Sequence, residues 1–344
     1  MKILLNTLYL MTPNIYLHLD NATLRVDEER VKKLQVPLHH INSVVCFGDV
    51  MISPAAMHRC ADEGIGLVLL DRNGRFKARL EGSVNGNILL RKAQHRLADQ
   101  EDPTLKLAKS FIAGKLKNAR QVVLRGVREA KCQADEEELS TTEKCLANSL
   151  RQLGNAKNLD EVRGIEGEAA KNYFSVITHL TIDSCREHFQ MNGRSRRPPK
   201  DRINSVLSFL YSLLMNDCRS ALEAVGLDPQ LGFLHAVRPG RAALALDLME
   251  EFRAIIADRL CLSLINRGQL QHDDFVEEEG DSILIKDDAR KKIVVAYQER
   301  KKDEVNHPLL DKKVPFGLLP YLQARFLART IRGETEGYLP FLYR

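Results

Sequence analysis

The spacing of apolar residues along the chain changes near residue 90. Before that point, short apolar runs of strand length recur, among them Ile3–Leu10, Asn42–Phe47 and Gly66–Leu70. After it, apolar residues recur at intervals of three and four, which is the spacing of one face of an α-helix. The pattern therefore predicts an α+β chain, with a small β-rich domain over residues 1–90 and a larger all-α domain over residues 91–344.

Local signals divide both domains into elements. In the first domain, Ser53–Gly64 predicts a single capped helix and Asp71–Gly74 predicts a hairpin turn. In the second domain, the predicted helices are Ile88–Leu97, Leu105–Val127, Ser140–Leu153, Leu159–Leu180, Arg202–Val225, Ala243–Arg267 and Leu309–Arg332. The acidic run Asp135–Glu138 is typical of a solvated loop or a helix start. Asp273–Ile285 predicts a small extended insertion with its turn at Glu277–Gly280.

Composition narrows the class of protein. With 44% hydrophobic residues among 344, the chain has enough apolar material for a large core, which excludes intrinsic disorder. The 51 Lys and Arg exceed the 46 Asp and Glu only slightly, which excludes a histone-like, wholly basic protein. The apolar runs are too short to cross a bilayer and the N-terminus lacks a signal-peptide cleavage site, so we expect a cytoplasmic protein without membrane contact. The seven cysteines form no CxxC pair, which argues against a zinc site or a disulfide framework.

Positive charge is concentrated in two segments. Residues 106–131 carry eight Lys and Arg side chains against Glu129 alone, and residues 194–202 carry five. Positive charge concentrated in this way favours binding to the phosphate groups of a polyanion, because each phosphate that is neutralised releases condensed counterions. For either segment alone, a solvated helix face or a basic loop is an open alternative. Together the two segments predict a polyanion partner.

Three segments place acids or a histidine in apolar surroundings. Glu166 lies seven residues before Tyr173, so the two share one helix face beside small residues. His235 follows an apolar pair at a bend, and Asp247 and Glu250 stand three apart on an apolar helix. Buried carboxylates are costly unless they are paired or bind a metal, and carboxylate oxygens with one imidazole suit Mg²⁺ or Mn²⁺ better than zinc. Each residue alone is more typical of a salt-bridged surface or a loop histidine, and spacing does not exclude that alternative.

Three longer strings carry a resemblance to a known family. They are GIEGEAAKNYF, RRPPKDRINSVLSFLYSLL and GFLHAVRPGRAALALDLMEEFR. Together with the β-rich N-terminus, they resemble CRISPR-associated protein one, the metal-dependent DNA endonuclease and integrase of spacer acquisition, in its subtype I-C form. The resemblance covers essentially the whole chain. It implies an N-terminal β-rich dimerisation domain and a C-terminal helical domain that is catalytic and binds DNA.

The resemblance also implies the residues of the site. It places the metal, Mg²⁺ or Mn²⁺, on Glu166, His235 and Glu250, with Asp247 as a second catalytic acid beside it. Many relatives have Asp where this chain has Glu250, so the longer side chain is a departure that bears on metal geometry. Further positions near the family's site match Tyr173, Asn204 and Tyr211.

The chemistry implied by the resemblance is the joining of DNA ends. The 3′-hydroxyl of a short DNA duplex attacks a phosphodiester at the edge of a CRISPR repeat, and water in its place gives nuclease activity. The implied partners are double-stranded DNA, a second copy of the chain and a dimer of the small CRISPR-associated protein two. The residues expected to contact DNA are Lys106, Lys109, Lys115, Lys117, Arg120, Arg194, Arg196, Arg197 and Arg238. Two alternatives stay open: a general repair nuclease for branched DNA, and a non-enzymatic DNA-binding scaffold whose buried acids are structural.

Overall fold

A computed structural model of the protein describes residues 7–74, 76–80, 82, 88–278 and 282–343. The chain divides into two compact units, Met1–Asn85 and Gly86–Arg344. The first is rich in strands and the second is mainly helical, so the predicted α+β class is confirmed. None of the helices in the described ranges is long and apolar enough to cross a membrane.

Strands dominate the first unit. They are β1 (Thr7–Leu10), β2 (Ile15–Asp20), β3 (Thr23–Glu28), β4 (Val31–Pro37), β5 (Ser43–Phe47), β6 (Met51–Ile52), β7 (Gly66–Leu70) and β8 (Phe76–Leu80). They form two four-stranded sheets, with the orders β1–β5–β7–β8 and β4–β3–β2–β6. Parallel pairing joins β1 to β5, β5 to β7 and β2 to β6. Apolar side chains of both sheets and of helix α1 (Pro54–Asp62) form one core, in which Leu17, Leu24 and Val44 are fully buried.

The predicted helix cap and the predicted hairpin turn of this unit are both present in the structure. Ser53 Oγ accepts a hydrogen bond from the Ala56 N–H at 3.1 Å and so caps α1, which stops just before Gly64 with its φ of 67°. Strands β7 and β8 pair antiparallel across the turn at Asp71–Gly74. Gly74 has a φ of 79°, a conformation that glycine adopts without steric cost. Both predictions are confirmed, whereas residues 3–6 of the first predicted strand lie outside the described residues.

Helices dominate the second unit. They are α2 (Ile88–Ala98), α3 (Glu101–Glu129), α4 (Gln133–Asn155), α5 (Leu159–Ser175), α6 (Asp183–Arg186), α7 (Arg202–Ala224), α8 (Ala243–Met249), α9 (Arg259–Asn266), α10 (Asp287–Lys302) and α11 (Leu319–Ile331). Helix α3 packs along α4 and α5, and α7 packs on α8 and α11. Two antiparallel hairpins interrupt the helices: β9 (Phe275–Glu278) with β10 (Ser282–Ile285), and β11 (Glu304–His307) with β12 (Lys312–Pro315). The first hairpin is the predicted insertion. Glu277 and Glu278, predicted as part of its turn, lie in β9, and residues 279 and 280 of that predicted turn lie outside the described residues.

The segment predicted as one helix over Ala243–Arg267 is broken once, after Met249. It consists of α8, a π-helical turn at Arg253–Asp258, and α9. Between α8 and this turn, hydrogen bonds span only three residues, as from the Glu250 N–H to Asp247 O at 3.2 Å. Nearly every side chain of the segment is buried, so its apolar positions surround the axis and no period marks the break. Such π-helical turns occur frequently at functional sites.

Three further boundaries differ from the predicted ones. The helix predicted over Leu159–Leu180 ends at Ser175 and continues as a 3₁₀ turn. The helix predicted over Leu309–Arg332 starts only at Leu319, because the β11–β12 hairpin precedes it. Helix α4 starts at Gln133 and not at Ser140, so the acidic run is a helix start, one of its two predicted alternatives, although Asp135 within it is buried against His179 and Arg186.

The segment 338–343 lies in a buried polar cradle. Asn118 of α3 donates from Nδ2 to Phe341 O and to Glu251 O, both at 2.8 Å, and its Oδ1 accepts the Tyr343 N–H at 2.8 Å. Glu251 Oε2 accepts the Phe341 N–H at 2.8 Å. The segment is therefore tied both to α3 and to the chain that follows α8.

Candidate functional site

Side chains from α3, α5 and the end of α8 converge on one ammonium group. Lys115 of α3 is only 12% exposed, and its Nζ pairs with Glu166 of α5 and with Glu250 after α8. The distance from Lys115 Nζ to Glu250 Oε2 is 2.9 Å. Glu166 is 28% exposed and Glu250 is 3% exposed, so the cluster opens to solvent on the Glu166 side. The fold thus brings two candidate ligands together around a positive charge.

His235 lies beside this pair and is held by Asp247. Its Nδ1 is 2.7 Å from Asp247 Oδ1, and its Nε2 is 3.8 Å from Glu250 Oε1. Asp247 also accepts the backbone N–H groups of Phe233, Leu234 and His235 at 2.6, 3.0 and 3.0 Å. The hydrogen-bond network assigns the proton to Nδ1, which leaves Nε2 as a free electron pair facing Glu250.

Two residues that the sequence analysis did not select position the His235 loop. Arg163 of α5 donates from Nε and Nη2 to Leu234 O at 3.1 and 2.8 Å. It stands one helical turn before Glu166, so it links the helix of one candidate ligand to the loop of another. At Gly232, an added Cβ would lie 2.8 Å from the Ala243 backbone and from Asp247 Oδ2. The absence of a side chain there lets the loop reach the carboxylate of Asp247.

The charge state of Glu250 is set by opposing effects. Burial alone would raise the pKa of this carboxyl, but the positive charges of Arg253 and Lys115 lower it to about 2, and His235 adds to this effect only when its ring carries both protons. Arg253 contributes directly, since its Nη2 lies 3.1 Å from Glu250 Oε1. Glu250 is therefore an ionised carboxylate in a buried position at neutral pH.

The described residues hold no ready-made metal site: no three His, Cys, Asp or Glu side chains among them are grouped to share an ion. An ammonium stands between the two candidate carboxylates instead. Beyond that contact, Glu250 Oε2 is buried and receives no hydrogen bond of normal geometry from the described part of the chain. A cation satisfies an acceptor of this kind, and carboxylate oxygens with one imidazole nitrogen suit Mg²⁺ or Mn²⁺. The donor atoms of Glu166, Glu250 and His235 are therefore of the types that the predicted metal prefers.

Behind Arg253, two tyrosines share one buried acid. Tyr211 and Tyr173 donate to the two oxygens of Asp258 at 2.6 and 3.0 Å. The Arg253 guanidinium lies over the Tyr211 ring, 4.8 Å from its centroid, while that of Arg194 is 5.3 Å away. Arg253 thus links Tyr211 to Glu250, and Asp258 links Tyr173 to Tyr211. The sequence analysis missed Arg253 and Asp258, whose only signal is charge within an otherwise apolar segment.

The predicted basic loop is partly structural. Arg194 Nη1 donates to Asn204 Oδ1 at 2.6 Å and its Nη2 to Ser208 Oγ at 3.0 Å. Asn204 is fully buried and also binds the loop backbone at Ser195 and Gly193. Asn204 and Arg194 therefore pin the loop to α7, whereas the predicted DNA-binding residues Arg196 and Arg197 are exposed.

The basic cluster of α3 does not form one face. Lys106 and Lys117 are exposed, but Lys109 Nζ donates to Gly154 O at 3.0 Å and Arg120 pairs with Glu143. Lys115 points into the acid pair described above. Lys109, Arg120 and Lys115, which the sequence analysis expected to bind DNA phosphates, therefore interact with residues of α4 and α5 instead.

A second group of positive charges lies next to His235. Burial lowers the pKa of Arg241, and the nearby charges of Arg238, Arg196 and Arg163 lower it further. Three separate segments supply these four guanidinium groups, and Arg238 is exposed. Their mutual repulsion is relieved by an anion, and planar guanidinium groups suit phosphate oxygens. Of the four, the sequence analysis named Arg196 and Arg238.

The sequence matches a known protein family and a known relative. The family model described as "CRISPR associated protein Cas1" matches residues 8–299. The chain is similar along its length to CRISPR-associated endonuclease Cas1 1 of Moorella thermoacetica, at 53% identity over 344 residues and 100% of both chains.

Solved structures share the fold. A casposase bound to integration product superposes with a TM-score of 0.83 at 24% identity, over 97% of this chain and 92% of that chain. A chain of a Cas6-RT-Cas1–Cas2 complex superposes with a TM-score of 0.84 at 24% identity, over 99% of this chain and 36% of that chain. Both units described above therefore follow a known architecture.

Proposed function

Because the chain belongs to the Cas1 family of CRISPR-associated proteins, we propose that it is a divalent-metal-dependent DNA endonuclease and integrase. Its substrate is double-stranded DNA, and its main reaction joins the 3′-hydroxyl of a short duplex to a phosphodiester of a CRISPR repeat. The observation that carries the proposal is the meeting of Glu166 and Glu250 at one cation position, with His235 Nε2 3.8 Å from Glu250. The subtype I-C form stays a prediction.

Glu166, His235 and Glu250 are the residues that would hold Mg²⁺ or Mn²⁺. When bound, such an ion offsets negative charge that develops on a phosphoryl oxygen and favours deprotonation of an attacking hydroxyl. Glu250 is ionised, so it needs no deprotonation before it can act as a ligand. Its greater length relative to Asp is accommodated by Arg253, which contacts Oε1 and leaves Oε2 facing Lys115.

The other residues orient this set and bind the substrate. Asp247 keeps the His235 proton on Nδ1 and fixes the loop through three backbone N–H groups. Arg163 fixes the same loop from α5. Besides burial, Arg238 and Arg196 both lower the pKa of Arg241, which Asp247 raises, and these three guanidinium groups could bind phosphates beside the reacting bond.

The proposed reaction exchanges one phosphodiester for another. The bond from the new 3′-oxygen to phosphorus forms as the bond to the leaving 3′-oxygen breaks, and that oxygen takes up a proton. No nucleotide cofactor is consumed, because the two bonds are alike in energy. With water as the nucleophile, the same residues give hydrolysis and release a DNA end.

The proposed assembly is a homodimer that works with a Cas2 dimer on double-stranded DNA. Its support is the family and the Cas6-RT-Cas1–Cas2 complex, whose chain shares the fold. Size-exclusion chromatography with light scattering, with and without Cas2, tests both parts of this proposal. A protein that stays monomeric and ignores Cas2 would contradict them.

Integration into a plasmid that carries a CRISPR repeat tests the activity. Glu166→Gln and His235→Ala should lower joining and metal-dependent nicking at least 100-fold with an unchanged circular-dichroism spectrum. Glu168→Gln is the matched control, because Glu168 is an exposed acid on the same helix. Full activity of either site variant with Mg²⁺ or Mn²⁺ would refute the assignment. Cleavage of branched DNA without joining would indicate a repair nuclease, and no metal-dependent cleavage at all a DNA-binding scaffold.

A further inference from the structure

Lys115 occupies the position that a cation shared by the two acids would take. Its ammonium contacts one oxygen of Glu166 and lies 2.9 Å from Oε2 of Glu250. An ion bound to the same two oxygens cannot coexist with an ammonium in that position, because both need the same space and the same lone pairs. Metal binding there requires Lys115 to move.

Electrostatics explains why the ammonium is there. The Glu250 side chain is 3% exposed and lies against Lys115 and Arg253, and a buried carboxylate needs cations of this kind beside it. Arg253 and His235 also face Glu250, at 3.1 and 3.8 Å from Oε1. Among the described residues, Lys115 is the cation that pairs with both Glu250 and Glu166. It therefore holds the two carboxylates together where they would otherwise repel each other.

We propose that Lys115 is an exchangeable counter-cation of the metal site. Its ammonium neutralises Glu166 and Glu250 in the metal-free protein, and a divalent ion replaces it. The flexible four-carbon stem allows the displaced ammonium to turn to phosphate, the role that the sequence predicts for it. This proposal rests on the metal site of the proposed function. Because the ammonium competes with the metal, it lowers the apparent metal affinity of the wild-type protein.

Mn²⁺ binding to the full chain, measured by electron paramagnetic resonance after metal removal, is the first test. Lys115→Met keeps an unbranched side chain without charge and should bind Mn²⁺ at least tenfold more tightly than wild type. Lys144→Met is the control, since Lys144 is exposed on α4, and should bind like wild type. Glu166→Gln should lose the binding and reports on the metal site independently of Lys115.

Thermal unfolding gives a second readout of the same variants. Metal-free Lys115→Met should melt at a lower temperature than wild type, because Glu250 and Glu166 lose the cation between them. Saturating Mn²⁺ should remove most of the difference, since the ion then takes over the neutralisation. A variant that is merely misfolded would stay less stable with and without metal.

A third measurement uses the wild-type protein and does not depend on any variant folding. Lysine acetylation by an activated ester, read by peptide mass spectrometry, should label Lys115 several-fold faster with saturating Mn²⁺ than without it. Lys144 should be labelled at the same rate in both conditions. Labelling of Lys115 that ignores Mn²⁺ would overturn its exchange with the metal.

The outcomes separate the two proposals. If Glu166→Gln abolishes Mn²⁺ binding while Lys115→Met binds no more tightly than wild type, the metal site stands and the counter-cation role is refuted. If Lys115→Met binds Mn²⁺ at this site and wild type does not bind it even at saturating concentration, the ammonium blocks the site permanently and the exchange role is refuted. If neither protein binds Mn²⁺ there, the metal site and the exchange role are both refuted.

Discussion

Replacing Asp258 by asparagine should change how stability depends on pH. Asp258 is 2% exposed and accepts hydrogen bonds from Tyr211 and Tyr173 at 2.6 and 3.0 Å. Burial raises the pKa of its carboxyl from 3.8 to about 6, against the lowering effect of the two tyrosines. The asparagine amide is nearly isosteric with the protonated acid, and its nitrogen can donate to one tyrosine oxygen.

Linkage between folding and proton binding determines whether this carboxyl stabilises or destabilises the protein as the pH rises. A carboxyl whose pKa rises on folding contributes its stability fully below the unfolded-state pKa and loses it as the pH rises through the folded-state pKa. For Asp258 that window runs from 3.8 to about 6. Between pH 5 and pH 7, this group should therefore cost the wild-type protein about 1 kcal/mol of unfolding free energy. Asp258→Asn exchanges no proton there and should lack that loss.

Urea unfolding at pH 5, 6 and 7, followed by far-ultraviolet circular dichroism, measures the effect in the helical unit. The quantity compared is the difference between wild type and variant at each pH, with a common dependence on urea concentration. Glu138→Gln removes an exposed acid of α4 and should track wild type. If Asp258→Asn loses stability in parallel with wild type between pH 5 and pH 7, the buried carboxyl carries no raised pKa and the reasoning is wrong.

Three further substitutions probe the supports of the site. Gly232→Ala would place a Cβ 2.8 Å from Asp247 Oδ2, so the His235 loop should shift and DNA cleavage should fall at least tenfold, and wild-type cleavage rates would contradict this. Arg163→Met frees Leu234 O and should weaken Mn²⁺ binding about tenfold in a metal titration, while an unchanged affinity would limit Arg163 to a structural role. Asn118→Ala orphans three buried backbone groups and should cost about 3 kcal/mol of unfolding free energy, with faster hydrogen exchange at the Tyr343 amide. Slow exchange at that amide in the variant would show that other contacts hold the segment.

Elements with local signals were predictable from the sequence. The cap at Ser53 and the Asn-Gly turn before β8 depend on neighbouring residues alone, and both are where the pattern predicts. The parallel pairing of β1 with β5 depends on distant strands, so alternation within a run does not reveal it. The break after α8 was missed for a different reason. A segment that is buried on all faces has no regular alternation of buried and exposed positions, so nothing in its hydrophobic pattern marks an interruption of the helix.

The candidate site shows a similar division. The i,i+3 spacing of Asp247 and Glu250 correctly predicts that they face the same way, and both face His235. Charge counts do not predict which basic side chains turn inward. Lys115 forms ion pairs with two acids that are distant in the sequence, and Arg194 donates a hydrogen bond to Asn204. The solvated part of each cluster can be identified only once these partners are in place.

The cradle around residues 338–343 has a consequence for synthesis. These residues are synthesised after every candidate ligand, and until they fold into place Asn118 and Glu251 lack their hydrogen bonds to the backbone of Phe341 and Tyr343. A nascent chain halted before them exposes polar groups beneath the turn that carries Glu250. Truncation before residue 338 is therefore expected to destabilise the turn that carries Glu250 and, with it, the proposed metal site.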